Sequence, residues 1–196
     1  MDKQNPLSII LASTSPRRKD LLAGAGYKFT VVPPDVDESA LPVSGVNPRE
    51  YAERLALAKA GSVAGKFPAC LVIGADTIVD SGGQIIGKPA DAEDARRITE
   101  KLFNSPHKVI TGVAIIILKD GVEIVESDVT TVYPKKMTAE QIERHIKGGS
   151  WEGKAGAYAI QETGDEFVER IEGSLTNVMG FPMELVQRLL KNLFLV

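Results

Sequence analysis

Short apolar runs along this chain alternate with longer stretches whose apolar residues recur every three or four positions, as strands interleaved with helices do. Leu7–Ala12 reads as a strand, and Leu21, Leu22 and Ala25 mark a helix over Pro16–Ala25. Phe29–Val32 is a second short strand, followed by the acidic loop Pro33-Pro34-Asp35-Val36-Asp37-Glu38. Asn47-Pro48-Arg49-Glu50 has the form of a capping box with proline at the first helical position, and opens a helix to about Ala64. Leu71–Ala75 is a strand expected to end at Asp76-Thr77, and Gln84–Ile86 a short strand leading to Gly87-Lys88-Pro89. Asp91 caps the next helix, which Asn104-Ser105-Pro106 stops. Val109–Leu118 and Val122–Tyr133 are β-branched runs joined at Lys119-Asp120-Gly121, a hairpin signal. Thr138–Lys147 is a helix, Phe167–Ile171 a strand, and a last helix runs from Pro182. The alternation predicts an α/β class, with no repeat and no linker long enough to part independent domains.

Composition narrows the functional classes. Hydrophobic residues make up 43% and charged residues 25% of the 196, ordinary for a globular chain large enough to bury a full core. The net charge of −3 lacks the basic footprint of a nucleic-acid binder, so no nucleic-acid partner is expected. The longest apolar run, Val113–Leu118, is too short to span a bilayer, and Met1–Pro6 contains no signal-peptide core; a cytoplasmic protein without a membrane partner is expected. The single cysteine, Cys70, sits in an apolar run and reads as a buried, inert thiol. Neither His107 nor His145 belongs to a metalloprotease motif. His145 reads as a surface residue and His107 as a hydrogen-bonded structural one.

Candidate chemistry gathers around anions. In Ser15-Pro16-Arg17-Arg18, serine fits an N-cap and proline the first helical position, so both arginines fall in the first helical turn. Guanidinium groups are disfavoured beside the positive end of a helix dipole, and an anion held there reconciles them with it. Asp76 stands at a strand's carboxyl edge, where α/β sheets place ligands, and Asp37 and Glu38 add carboxylates without matching basic neighbours. Carboxylates with waters and substrate phosphates form the usual Mg²⁺ environment. Lys59 falls on the apolar face of its helix, where a lysine either snorkels or points into a pocket; Lys88 is displayed on a stiff turn. Gly148–Lys154 imitates a phosphate-binding loop, but Ala155 replaces the hydroxyl residue and the stretch follows a helix, so it is not one; it can still bring Lys154 to a ligand.

Six segments occur together in one order: Leu11–Arg18 (L-A-S-x-S-P-R-R), Leu55–Ala60 (L-A-x-x-K-A), Gly74–Thr77 (G-A-D-T), Gly87–Pro89 (G-K-P), Lys154–Gln161 (K-A-G-A-Y-x-I-Q) and Asn177–Pro182 (N-V-M-G-x-P). In this the chain resembles the Maf family of nucleoside triphosphate pyrophosphatases over nearly its whole length. The resemblance implies one domain over residues 1–196, two lobes around a cleft, with a twisted mixed β-sheet and flanking helices like the inosine triphosphate pyrophosphatases. It implies Asp76 as proton acceptor, and Arg17, Thr77 and Gln161 as specificity positions, with the glutamine resembling the dTTP/UTP branch. A carboxamide that donates and accepts matches the N3–H and O4 edge of uracil or thymine. The implied site is completed by Glu38, Lys59 and Lys88 among the catalytic groups, and by Ser13, Arg18 and Lys154 at the substrate. On this reading of the residues Asp76 and Glu38 hold a divalent cation (Mg²⁺, Mn²⁺ or Co²⁺), with Asp76 taking the proton directly as the alternative.

The chain also departs from the family pattern. Gly153 replaces an aspartate, Glu162 a glycine and Phe181 a leucine, and Ser150-Trp151-Glu152 replaces an E-P turn. These changes touch base selectivity, leaving 7-methyl-GTP or another base as an alternative. A nucleotide-binding regulator of septum formation without turnover is a second alternative, and a phosphatase releasing orthophosphate a third. A homodimer is compatible with the sequence, though no interface stripe is legible in it.

Overall fold

The computed structural model describes residues 7–42, 45–158 and 167–194. Its elements in chain order are β1 (Ile9–Ala12), α1 (Pro16–Gly24), β2 (Phe29–Val31), α2 (Pro48–Ala64), β3 (Leu71–Ser81), β4 (Gln84–Ile86), α3 (Ala92–Leu102), β5 (His107–Ile117), β6 (Val122–Pro134), α4 (Ala139–Lys147), β7 (Val168–Glu172), α5 (Leu175–Val178) and α6 (Met183–Phe194). One mixed sheet in the order β2-β1-β3-β5-β6-β7 carries them, with β4 also on β3. β2, β1 and β3 are parallel, and the remaining pairs are antiparallel. The α/β expectation holds.

The two faces of β3 are filled differently. Leu71, Ile73 and Ala75 face a core built with Leu22, Phe181 and the apolar stripe of α6. Val72 faces the other way, into a layer made by Ala56, Ala60 and Val63 of α2. That helix lies unusually close to the sheet. A Cβ at Gly74 would stand 2.5 Å from the Ala56 carbonyl oxygen, and one at Gly112 2.3 Å from that of Ala52. Two glycines paired with the small residues Ala52, Ala56 and Ala60 therefore set the depth at which α2 seats. Gly112 pairs directly with Asp76 across β3 and β5, so the close approach brackets that carboxylate.

β3 continues through the residues expected to end it. Asp76 and Thr77 lie in the middle of an eleven-residue strand. Aspartate is a poor strand former, but a lysine from α2 meets this one, so no turn is needed to solvate it. β1 accompanies β3 only from Leu71 to Gly74, and β4 joins it only from Val79 to Ser81. Between them, residues 75–78 have no strand partner on that edge among the described residues. The result is a notch, flanked by the Ser13–Ser15 turn on one side and Gly87-Lys88 on the other.

Local details sharpen other expectations. Asn47 caps α2 by accepting from Arg49 N, but Glu50 does not complete the box, because its carboxylate takes Arg54 one turn later. Thr138 and Gln141 form a full capping box at α4. The β5–β6 connection tightens into a 3₁₀ turn closed by Gly121 at φ +66°. Cys70 is half-buried rather than buried. No helix among the described residues is long and apolar enough to cross a membrane.

Candidate active site

A cavity of about 450 Å³ opens over the notch, within the usual range of a small-molecule site. Ser13, Arg17, Arg18, Glu38, Lys59, Asp76, Thr77, Lys88 and Lys154 all line it. The notch explains how residues from both faces of β3 can share one cavity. Asp76 points toward α2 and Thr77 away from it, and both are reached through the open edge.

Lys59 is the centre of the polar end. It does not snorkel: its Nζ lies 2.5 Å from Asp76 Oδ1 and 2.7 Å from Glu38 Oε1. Glu38 opens a 3₁₀ turn whose cap is Asp37, with the Asp37 carboxylate accepting from Ser39 N and Oγ. The two adjacent acids thus divide the work, Asp37 holding the turn and Glu38 entering the cavity. Partial burial pushes the Glu38 carboxyl up, but its hydrogen bond to Lys59 and the charges of Lys59, Lys88 and Arg18 outweigh that and hold it below the ordinary carboxylate value. Lys88 is exposed at the rim.

α1 brings its N-terminus to the same cavity. Ser15 occupies the N-cap position, yet its side chain makes no capping bond, and no acidic residue sits in the first turn. The half-buried Arg17 lies beside the free N–H groups of that first turn, and groups of this kind suit an anion. Arg18, expected at a phosphate, lines the cavity and hydrogen-bonds the protein with all three guanidinium nitrogens. Nε donates to the Gly180 carbonyl (2.8 Å), Nη1 to that of Ala75 (2.7 Å) and to Ser13 Oγ (3.5 Å), and Nη2 to Thr77 Oγ1 (3.0 Å). Ala75 lies on the unpartnered stretch of β3, so Arg18 bonds a carbonyl there and ties it to the Gly180 turn. Thr77 also bonds Thr111 Oγ1 at 3.0 Å.

The other end of the cavity is apolar. Val79, Val109, Tyr158 and Val178 belong to one core cluster shared with α3 and α4. Lys154 lines the rim with its Nζ donating to the Ser150 carbonyl at 2.5 Å. His145, expected at the surface, is buried: Nε2 donates to the Ala157 carbonyl at 2.7 Å, and Nδ1 lies 3.2 Å from Ser150 Oγ. The helix pattern put His145 on α4, but the turn that covers it could not be read from α4 alone. Gln161 lies outside the described residues.

The sequence matches the family model described as Maf-like protein over residues 8–193. It is 40% identical over 186 residues to a dTTP/UTP pyrophosphatase of Ruminiclostridium cellulolyticum, covering 95% of this chain and 96% of that protein. It is 49% identical over 177 residues to a dTTP/UTP pyrophosphatase of Geotalea uraniireducens, covering 90% of each. Among solved structures, a HAM1 protein from Coxiella burnetii aligns with a TM-score of 0.44 at 15% identity, over 67% of this chain and 74% of that one; at that distance the likeness carries no weight. The chain belongs to the Maf family.

Proposed function

We propose that this protein hydrolyses the α–β phosphoanhydride bond of dTTP and UTP, releasing the nucleoside monophosphate and pyrophosphate. The observation that carries the reading is the convergence of Asp76 and Glu38 on Lys59 in a cavity that also presents Arg17 and Lys88. The identity to dTTP/UTP pyrophosphatases over nearly the whole chain supports the substrate class. We read the whole chain as one cytoplasmic domain whose two lobes flank the cavity, since a single sheet runs beneath both.

The donor set suits a hard divalent cation. Two carboxylates meet at one ammonium, and among the described residues no group of three or more His, Cys, Asp or Glu gathers anywhere. Mg²⁺ takes one or two carboxylates and completes its shell with waters and substrate phosphates. Asp76 and Glu38 would hold such an ion, which supplies Lewis-acid polarisation of the phosphate oxygens when bound. Arg17, the first turn of α1 and Lys88 bind and orient the triphosphate tail, and Lys59 places positive charge where negative charge grows. Asp76 accepts the proton of the attacking water as its oxygen bonds phosphorus and the bridging oxygen leaves with pyrophosphate. Arg18, Ser13 and Thr77 keep the notch open and fixed.

The test is incubation with dTTP, UTP, CTP and 7-methyl-GTP, with Mg²⁺, with Mn²⁺ and after chelation, following pyrophosphate and orthophosphate separately. Pyrophosphate from dTTP and UTP that disappears on chelation is the expected result. Binding without turnover, or orthophosphate as the first product, overturns it.

A further inference from the structure

The chain contains two histidines, and both are buried against one turn. His145 Nε2 donates to the Ala157 carbonyl at 2.7 Å, and His107 Nε2 lies 2.8 Å from the Tyr158 hydroxyl. That turn is backbone-strained. Gly156 sits at φ +74° and Ala157 at φ +61°, the one non-glycine residue with positive φ among those described. Such a conformation persists where its surroundings over-determine it, and it is met at ligand sites. Gly156 has no room for a side chain, since a Cβ would stand 2.9 Å from Val79 Cγ2, and its N–H donates to the Gly87 carbonyl.

The strain delivers one side chain. Tyr158 is 7% exposed and lines the cavity beside Val79 and Val109. Phe103 and the ring of His107 meet it edge-on, at 5.4 and 5.6 Å between centroids. On β3 and β5 the side chains on this face run in order: Thr77 and Thr111 next to Arg18, then Val79 and Val109, then His107. The polar end suits phosphates, and the apolar end with an immobilised aromatic ring suits a flat base. Resting on the pyrophosphatase reading, we propose that Tyr158 is a specificity-determining residue that forms the wall against which the pyrimidine base packs, and that His107 and His145 are positioning residues holding it there.

UTP and CTP differ only along the N3 and position 4 edge of the base, where donor and acceptor are exchanged, so their ratio of kcat/KM reports the registration of the base. Tyr158→Phe keeps the ring and removes the tether. It should raise the KM for UTP by roughly three- to tenfold, leave kcat within about twofold, and lower the UTP:CTP ratio. His107→Ala should do the same, and His107→Gln, which keeps a polar partner, should recover part of the loss. A purely structural role would lower the melting temperature and scale both substrates alike. An active wild type with an unmoved ratio in Tyr158→Phe overturns this inference while sparing the pyrophosphatase reading. A wild type that releases no pyrophosphate from either nucleotide overturns both.

Discussion

Lys59 and Asp76 meet at 2.5 Å with side chains only 11% and 12% exposed, a nearly buried ion pair made by two elements that touch through glycine. Removing either partner leaves a different remainder. Asp76→Asn leaves Lys59 still paired to Glu38. Lys59→Met leaves two carboxylates without the ammonium that bridges them, and only the more distant charges of Lys88 and Arg18 remain. Breaking a buried pair is strongly destabilising, although Glu38, 44% exposed, keeps part of its hydration. Lys59→Met should therefore cost about 2–3 kcal/mol by denaturant unfolding, and Asp76→Asn clearly less. Turnover should fall roughly a thousandfold in Asp76→Asn, so the milder structural change carries a severe chemical loss. Equal stability losses in the two variants would contradict this account of the pair.

Gly74 and Gly112 should tolerate no side chain. Alanine at either position puts a methyl group about 2.3–2.5 Å from a backbone oxygen of α2, and backbone cannot swing aside as a flexible side chain would. Over-packing of this kind costs about 1–3 kcal/mol. The helix should lift, taking Lys59 with it, so activity measured well below the melting temperature should fall further than the unfolded fraction explains. Full specific activity in a folded Gly112→Ala variant would show that the seating depth of α2 does not matter to the site.

Arg18→Lys should behave as a loss rather than a conservative exchange. Lysine has a single ammonium and cannot span Gly180, Ala75, Ser13 and Thr77 in one plane. A drop of about 1–3 kcal/mol in unfolding free energy is expected, from the unsatisfied acceptors. Kinetics should show a lower kcat as the notch loses its brace. A variant that changed only KM for the nucleotide would return Arg18 to direct phosphate binding.

Burial holds the His107 imidazole below its ordinary value of 6.5. With the folded value depressed, the neutral ring contributes its full share of stability above about pH 6.5. As the pH falls further, the unfolded chain takes up a proton that the folded one refuses, and that share is lost. Melting temperatures recorded from pH 7.5 to pH 5.5 should therefore slope more steeply in the wild type than in His107→Gln. Parallel slopes would mean that His107 does not titrate differently in the two states.

Most elements were legible because each states its own pattern. The β-branched run of β5, the Asn47-Pro48 start of α2 and the Gly121 turn all carry local signals, and the site residues share motifs the family repeats. The misreadings came where a distant partner decides. Asp76 looked like a strand end because nothing within its neighbourhood says that Lys59 will neutralise it. His145 looked exposed because its cover, the Lys154–Tyr158 turn, arrives from outside the helix. Arg18 and Arg17 are alike as neighbours in sequence, and the bonds of Arg18 to Gly180 and to the open edge of β3 come from segments that the local pattern does not show. The single turn of α5 is too short to show a period at all.

Among the described residues, no strand fills the berth between β1 and β4. A pocket made by omitting a rung inherits the stiffness of the ladder around it, so its floor needs no induced closure to become ordered. Change can then enter from above, at the Ser150–Gly153 stretch that already departs from the family pattern, while the floor stays the same.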